Sequence, residues 1–127
     1  MSGDATAPLI AIVDDDASVR VAMGGLVRSA GYRSVMFGSG VEFLARHRKY
    51  EVDCLVLDIE MPGMDGLYVQ RRLAAMNFSF PIIVVTGCDG EHREMAQKQG
   101  AFAVLPKTSN GEALLSVIHS ALQCRRK

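Results

Sequence analysis

The chain has 127 residues, 49% of which are hydrophobic, and this composition predicts one globular domain with a single sizeable core. Because 14 basic residues balance 14 acidic ones, no overall charge would recruit nucleic acid, and we expect no direct nucleic-acid binding. No stretch approaches the roughly 20 apolar residues of a membrane-spanning helix, and the N-terminus lacks a signal-peptide pattern, so we expect a cytoplasmic protein without membrane contact.

Two strand–helix units are predicted in the first part of the chain. The apolar run Leu9–Val13 is typical of a buried strand. Apolar residues at helical spacing then predict a helix over 17–30, with Asp16 as its N-cap. A short strand follows at Ser34–Phe37, and Ser39 is expected to cap a second helix.

Three further strand–helix units complete the pattern. Their strands are predicted at Cys54–Leu57, Pro81–Val85 and Phe102–Leu105. Their helices are predicted at 67–76, 91–99 and 110–123. Strands and helices therefore alternate strictly along the whole chain.

This alternation predicts an α/β fold. Strands that are apolar on both faces belong to a parallel sheet with helices on both sides. Right-handed crossovers and the length of the chain favour the flavodoxin-like, doubly wound strand order 2-1-3-4-5. The domain would span 9–123, with an N-terminal extension at 1–8 and a basic tail or the start of a linker at 124–127.

Polar residues that could carry chemistry follow four of the predicted strands. Asp14 and Asp15 follow the first strand, Asp58 the third, Thr86 the fourth and Lys107 the fifth. In such sheets the ligand site lies beyond the carboxyl ends of the strands, so these side chains should converge. Three clustered carboxylates repel one another, and Lys107 supplies only one compensating charge. The pattern therefore predicts a divalent cation, and Mg²⁺ fits because it prefers oxygen ligands.

Such a cluster could transfer a phosphoryl group. With the cation present, one carboxylate could attack a phosphoryl donor as a nucleophile. Lys107 and the hydroxyl of Thr86 would stabilise charge on the phosphoryl oxygens. The product would be an aspartyl phosphate.

The order of these motifs resembles the receiver domains of bacterial response regulators, which belong to two-component signal transduction. The resemblance covers about Leu9 to Gln123. It rests on Val13-Asp14-Asp15, on the run from Asp58 to Gly66 (DIEMPGMDG), on Thr86-Gly87 and on Lys107. Each motif is common by itself, but their order at successive strand ends is specific to that family.

The resemblance implies a phosphoacceptor signalling domain rather than an enzyme. Asp58 would accept the phosphoryl group from a sensor histidine kinase or a histidine phosphotransfer protein. Asp15, Asp58 and the backbone carbonyl of Glu60 would bind Mg²⁺, and Asp14 would act partly through water. Lys107 would pair with the phosphoryl oxygens.

The resemblance also implies a switch, from which this chain departs at two positions. Thr86 would move toward the phosphate and couple the site to the surface of the fourth helix, fifth strand and fifth helix, through which a homodimer could form. The position that often holds a switching aromatic residue is Val104, and the usual proline after Lys107 is replaced by Thr108. A cis Lys107–Thr108 bond would cost about 3 kcal/mol.

Three further positions are expected to tune the lifetime of the phosphoryl group. By resemblance, Glu60 and Cys88 flank the path of the hydrolytic water. Glu60 adds negative charge beside the phosphate, and the small Gly87 leaves access open.

Two other classes of function compete with this one. A phosphorylation-independent pseudo-receiver, acting as a docking module, is favoured by Val104 and Thr108 but gives no reason for a repelling acidic cluster. An aspartyl phosphohydrolase would carry a second Asp where this chain has Glu60, and a flavin carrier would need a Ser/Thr/Gly-rich loop after the first strand.

Overall fold

The structure is a computed structural model that describes residues 6–59, 66–87, 91–107 and 109–125. Its strands are β1 (Leu9–Val13), β2 (Arg33–Phe37), β3 (Cys54–Asp58), β4 (Ile82–Thr86) and β5 (Ala103–Pro106). Its α-helices are α1 (Ala17–Ser29), α2 (Gly40–Arg46), α3 (Gly66–Ala75), α4 (Glu91–Lys98) and α5 (Gly111–Arg125). A short 3₁₀ helix, His47–Lys49, follows α2.

The five strands form one parallel sheet in the order β2-β1-β3-β4-β5, which confirms the predicted topology. The register aligns Val13 of β1 with Leu57 of β3, so the residues that follow them lie at one edge of the sheet. Asp58 in turn aligns with Val85, and Thr86 aligns with Pro106. The ends of all these strands therefore meet where the ligand site was expected.

Successive side chains of a strand point to opposite sides of the sheet, and helices bury both sides. Helices α1 and α5 cover one face, over a core formed by Ile10, Ile12, Val56, Ile83, Val85, Val27, Leu114 and Ile118. Helices α2, α3 and α4 cover the other, over a core formed by Val13, Leu55, Leu57, Val84, Phe43, Leu73, Ala96 and Val104. This two-sided burial explains why the strands are continuous apolar runs.

The predicted helix signals act as expected at the starts of α1 and α2. The side chain of Asp16 accepts hydrogen bonds from the backbone N–H groups of Ser18 and Val19, and Ser39 accepts one from Glu42. Helix α4 is followed by Gly100, whose φ of +97° lies in the left-handed region that favours glycine. Local capping chemistry therefore fixes these boundaries.

Some predicted boundaries were wrong. Helix α5 continues through Arg125, two residues past its predicted end, and Ala121 and Leu122 near that end are buried. The packing of two rings is not visible in the sequence pattern. His47 is buried and stacks on Phe43 at 5.1 Å between ring centroids, whereas Phe102 is 40% exposed.

Among the described residues, no helix combines the length and the apolar composition needed to cross a membrane.

Candidate functional site

Three carboxylates meet at the edge of the sheet where β1 and β3 end. Each of Asp14, Asp15 and Asp58 has a ligand atom within 4.8 Å of those of the other two. Asp14 and Asp58 are each only 1% exposed, whereas Asp15 faces solvent. Because β1 and β3 are hydrogen-bonded neighbours, the sheet itself brings these groups together.

Asp14 is fixed by its backbone and by one of its carboxylate oxygens. Its N–H donates to the carbonyl of Phe37 at 3.2 Å, and its Oδ1 accepts from the N–H of Asp16 at 2.9 Å. Its Oδ2 is buried and receives no hydrogen bond from the described residues. A buried charged oxygen without a hydrogen bond is costly, so this atom marks a place for a cation.

Lys107 provides the positive charge at the site. Its Nζ lies 3.0 Å from Oδ2 of Asp58, with which it forms a hydrogen-bonded ion pair. The 3.4 Å contact with Oδ2 of Asp14 is an ion pair without hydrogen-bond geometry. Burial alone would lower the pKa of Lys107, but the hydrogen bond and charge of Asp58 and the charge of Asp14 outweigh it and raise that pKa. The ammonium therefore stays charged throughout the neutral range.

Thr86 and Lys107 reach the site from adjacent strands. Thr86 ends β4 and is 1% exposed. Its backbone carbonyl accepts a hydrogen bond from the N–H of Lys107 at 2.9 Å, which fixes the start of the segment after β5.

Two further predicted positions lie close to Thr86 in the fold. Gly87, which follows Thr86 in the chain, is exposed. Val104 lies one strand away, buried in the core beneath α2, α3 and α4.

Three of the predicted positions lie outside the described residues. These are Glu60, expected to offer a metal ligand and to tune the rate, Cys88, expected to tune the rate, and Thr108. The proposed metal contact of Glu60 and the conformation of the Lys107–Thr108 peptide bond therefore stay predictions.

The donor set fits a hard divalent cation. Three carboxylates and one ammonium leave two negative charges, which one divalent cation would neutralise. Two like charges about 4 Å apart near a protein surface repel by about 4 kcal/mol, so a single lysine does not balance the cluster. Oxygen ligands that are close together, one of them buried without a hydrogen bond, suit Mg²⁺.

Sequence reasoning missed one residue at this site, Arg20. Its Nη1 donates a hydrogen bond of 2.7 Å to the backbone carbonyl of Asp14. Every residue has a backbone carbonyl, so a side chain that binds one leaves no characteristic pair of residue types in the sequence. A search for motifs therefore does not find it. The available signal was weak: Arg20 is the fourth residue of a helix that starts directly after the acidic run.

Comparison with known proteins gives a consistent result. A family model described as the response regulator receiver domain matches residues 10–119. Nodulation protein W of Bradyrhizobium diazoefficiens is 37% identical over 123 residues, which cover 96% of this chain and 54% of that protein. Response regulator protein TmoT of Ectopseudomonas mendocina is 41% identical over 116 residues, which cover 91% of this chain and 53% of that protein. The chain thus spans about half the length of these relatives.

A solved structure shows the same likeness. The crystal structure of a response regulator receiver protein from Burkholderia phymatum matches with a TM-score of 0.82 and 39% sequence identity. The match covers 91% of this chain and 95% of the other.

Proposed function

This chain belongs to the response regulator receiver domain family of two-component signalling, and from that premise we propose that Asp58 is its phosphoacceptor. Domains of this family are phosphoacceptor signalling modules rather than conventional enzymes. We propose a sensor histidine kinase or a histidine phosphotransfer protein as the donor, and the cytoplasm as the location.

The observation that carries the proposal is the position of Asp58. It is the one carboxylate of the cluster that ends an interior strand and forms a hydrogen-bonded ion pair with Lys107. In the proposed step, a carboxylate oxygen of Asp58 forms a bond to phosphorus. The phosphorus–nitrogen bond of the donor phosphohistidine breaks, and its electron pair leaves with the imidazole.

Lys107 and Thr86 would bind the oxygens of the transferred group. Lys107 is held against Asp58 before transfer, so its ammonium is already in place to pair with phosphoryl oxygens. The hydroxyl of Thr86, at the end of the neighbouring strand β4, would donate a hydrogen bond to one of them. Both groups stabilise charge that develops during transfer.

Asp14, Asp15 and Asp58 would hold Mg²⁺, together with the backbone carbonyl predicted for Glu60. Bound Mg²⁺ neutralises the acidic cluster and polarises the phosphoryl oxygens. Asp15 is exposed, so a donor protein could approach the cluster from the side of this residue, whereas Asp58 is buried.

The conformational response to phosphorylation would depend on the packing of buried aliphatic side chains rather than on a switching aromatic residue. Thr86 would move toward the phosphoryl group, and Val104, on the adjacent strand, is buried in the core that α4 covers. We propose that this movement shifts α4 and changes the surface formed by α4, β5 and α5. Glu60, Gly87 and Cys88 would set how long the phosphoryl group persists.

The test is formation of an aspartyl phosphate. The whole chain is incubated with Mg²⁺ and acetyl phosphate, and its intact mass is measured. Wild type should gain one phosphoryl group only with Mg²⁺, and Asp58→Asn should gain none. Asp53→Asn is the matched control, because Asp53 is bonded to the N–H of Leu9 at the start of β1, away from the site, and should be phosphorylated like wild type.

A pseudo-receiver is the second candidate, and Val104 is the observation that favours it. A buried Val104 lacks the large side chain that could report the state of Thr86. If wild type gains no phosphoryl group with acetyl phosphate and Mg²⁺, the proposed phosphoacceptor role is refuted, and constitutive docking becomes the better function.

A further inference from the structure

Arg20, on helix α1, contacts the backbone of the acidic site. It lies in the first turns of α1, and its Nη1 donates a 2.7 Å hydrogen bond to the backbone carbonyl of Asp14. Its own N–H donates to the carbonyl of Asp16 within the helix. The contact therefore closes a short loop between the end of β1 and the start of α1.

The guanidinium of Arg20 also covers the end of β2. A Cβ atom at Gly38 would lie 3.3 Å from Nη1 and 3.6 Å from Cζ of Arg20, so the absence of a side chain at Gly38 leaves room for the guanidinium. The N–H of Gly38 is bonded to Oε1 of Glu42 at 3.0 Å, which fixes this segment from the other side. Arg20 thus lies between the segments that follow two adjacent strands, hydrogen-bonded to one and in close approach to the other.

We infer that Arg20 is a positioning residue, which holds the Asp14–Asp15 segment in the arrangement that binds the divalent cation. This inference rests on the proposed function only in taking the cluster to be a Mg²⁺ site. Because Oδ1 of Asp14 accepts from the N–H of Asp16 at 2.9 Å, the direction of this carboxylate, and so of its Oδ2, depends on the backbone of the segment from Asp14 to Asp16. That backbone is held at its N–H by Phe37 and at its carbonyl by Arg20.

The alternative role for Arg20 is purely electrostatic, and it predicts the opposite sign. A positive charge near three carboxylates lowers their affinity for a cation, so removing the charge would tighten Mg²⁺ binding. Removing a positioning contact would weaken it, because the carboxylates would have to be ordered when the cation binds. Groups that orient metal ligands typically contribute 10-fold or more to metal affinity.

The experiment is a Mg²⁺ titration without any phosphoryl donor, followed through the backbone amide shifts of the ¹⁵N-labelled chain. Arg20→Met should weaken Mg²⁺ binding by about 10-fold. Arg20→Lys keeps the charge and one donor group and should recover most of that loss. Should Arg20→Met fail to fold, Arg20→Gln takes its place, since it also removes the charge and cannot span the same distance.

Arg28→Met is the matched control. Arg28 lies two helical turns further along α1, and its Nη1 donates to Oγ of Ser34 at 2.8 Å. It therefore also links α1 to β2, but at a distance from the acidic cluster, and its loss should leave Mg²⁺ affinity unchanged.

Two kinds of result overturn the inference. Unchanged or tighter Mg²⁺ binding in Arg20→Met, or equal weakening in Arg28→Met, would contradict a positioning role for Arg20. Absence of Mg²⁺ binding in wild type would also overturn it. Wild type that binds Mg²⁺ but gains no phosphoryl group would refute only the phosphoacceptor role of Asp58.

Discussion

Asp14 illustrates a conflict between stability and binding at the scale of one residue. It is buried, and its Oδ2 has only a 3.4 Å ion pair with Lys107, a partner that Asp58 holds more closely. A carboxylate that is buried beside two others is costly unless a cation compensates for it. The metal-free site should therefore be a source of instability.

We expect Asp14→Asn to stabilise the metal-free chain by about 1 kcal/mol, because it removes one repelling charge and leaves the Lys107–Asp58 pair intact. The free energy of unfolding is measured by urea denaturation in EDTA. With saturating Mg²⁺ the order should reverse, because wild type binds the cation more tightly and gains about 2.7 kcal/mol at 100 times its dissociation constant.

Asp53→Asn gives the contrast for that experiment. Its carboxylate accepts a hydrogen bond from the N–H of Leu9 at 2.8 Å, and the amide oxygen of Asn would accept a weaker one, so the change in the free energy of unfolding should be the same with and without Mg²⁺. A metal-free Asp14→Asn chain that is less stable than wild type would show that the carboxylates are not in conflict.

The site residues divide into those that sequence could predict and those that it could not. Asp14, Asp58 and Lys107 follow predicted strands, and the rule that parallel strand ends converge is enough to bring them together. Arg20 acts on a backbone carbonyl, and its role depends on how close α1 lies to Gly38. Such proximity is a property of packed elements, which no spacing along the chain encodes.

At the scale of the element, a buried polar contact joins α3 and α4. Gln70 of α3 is 1% exposed, and its Nε2 donates to the carbonyl of Ala96 in α4 at 3.1 Å. Gln99 donates to Oε1 of Gln70 at 3.3 Å and to the carbonyl of Leu67 at 3.4 Å. The C-terminal end of α4 is therefore tied to α3, which begins shortly after the strand of Asp58.

We expect Gln70→Ala to destabilise the chain by about 1–3 kcal/mol, since it removes a buried hydrogen bond and leaves a cavity. Amide hydrogen exchange should accelerate in α4 more than in α1 or α5, because α4 loses its tie to α3. Gln97→Ala, an exposed position on the same helix, is the control and should alter neither quantity. Equal acceleration in all helices would mean that Gln70 stabilises the fold without holding α4 in particular.

Most strands and helices were predictable from the sequence. What was missed depends on contacts in the assembled core, which local sequence patterns do not encode. Strands buried on both faces are uniform apolar runs, so β1 was predicted at its observed residues and β4 to within one residue at each end. The end of α5 was missed because Cys124 and Arg125 carry no core signal of their own. The burial of His47 depends on stacking against Phe43 in the assembled core, which local pattern does not show.

At the scale of the whole molecule, the site and the surface that would report its state lie on different elements. The carboxylates are at the ends of β1 and β3, whereas α4 and the segment before β5 expose Met95 at 46% and Phe102 at 40%. Contiguous exposed apolar side chains mark surfaces that bind other proteins. Met95 and Phe102 are therefore the positions at which the proposed surface of α4, β5 and α5 can be tested by substitution.

We therefore expect the phosphorylated state to favour a homodimer through that surface. Beryllofluoride with Mg²⁺ is added as a mimic of the phosphoryl group, and the mass in solution is measured by sedimentation across a range of protein concentrations. Phe102→Glu and Met95→Glu should each weaken dimerisation at least 10-fold, because a carboxylate would be desolvated in the interface at a cost above about 1.4 kcal/mol.

Val21→Glu is the control for that experiment, since Val21 is even more exposed, at 64%, but lies on α1. It should dimerise like wild type. If Val21→Glu alone disrupts the dimer, the interface lies on α1, and the switch reaches a different face. If wild type stays monomeric with beryllofluoride at every concentration, the prediction of a homodimer through Met95 and Phe102 is contradicted.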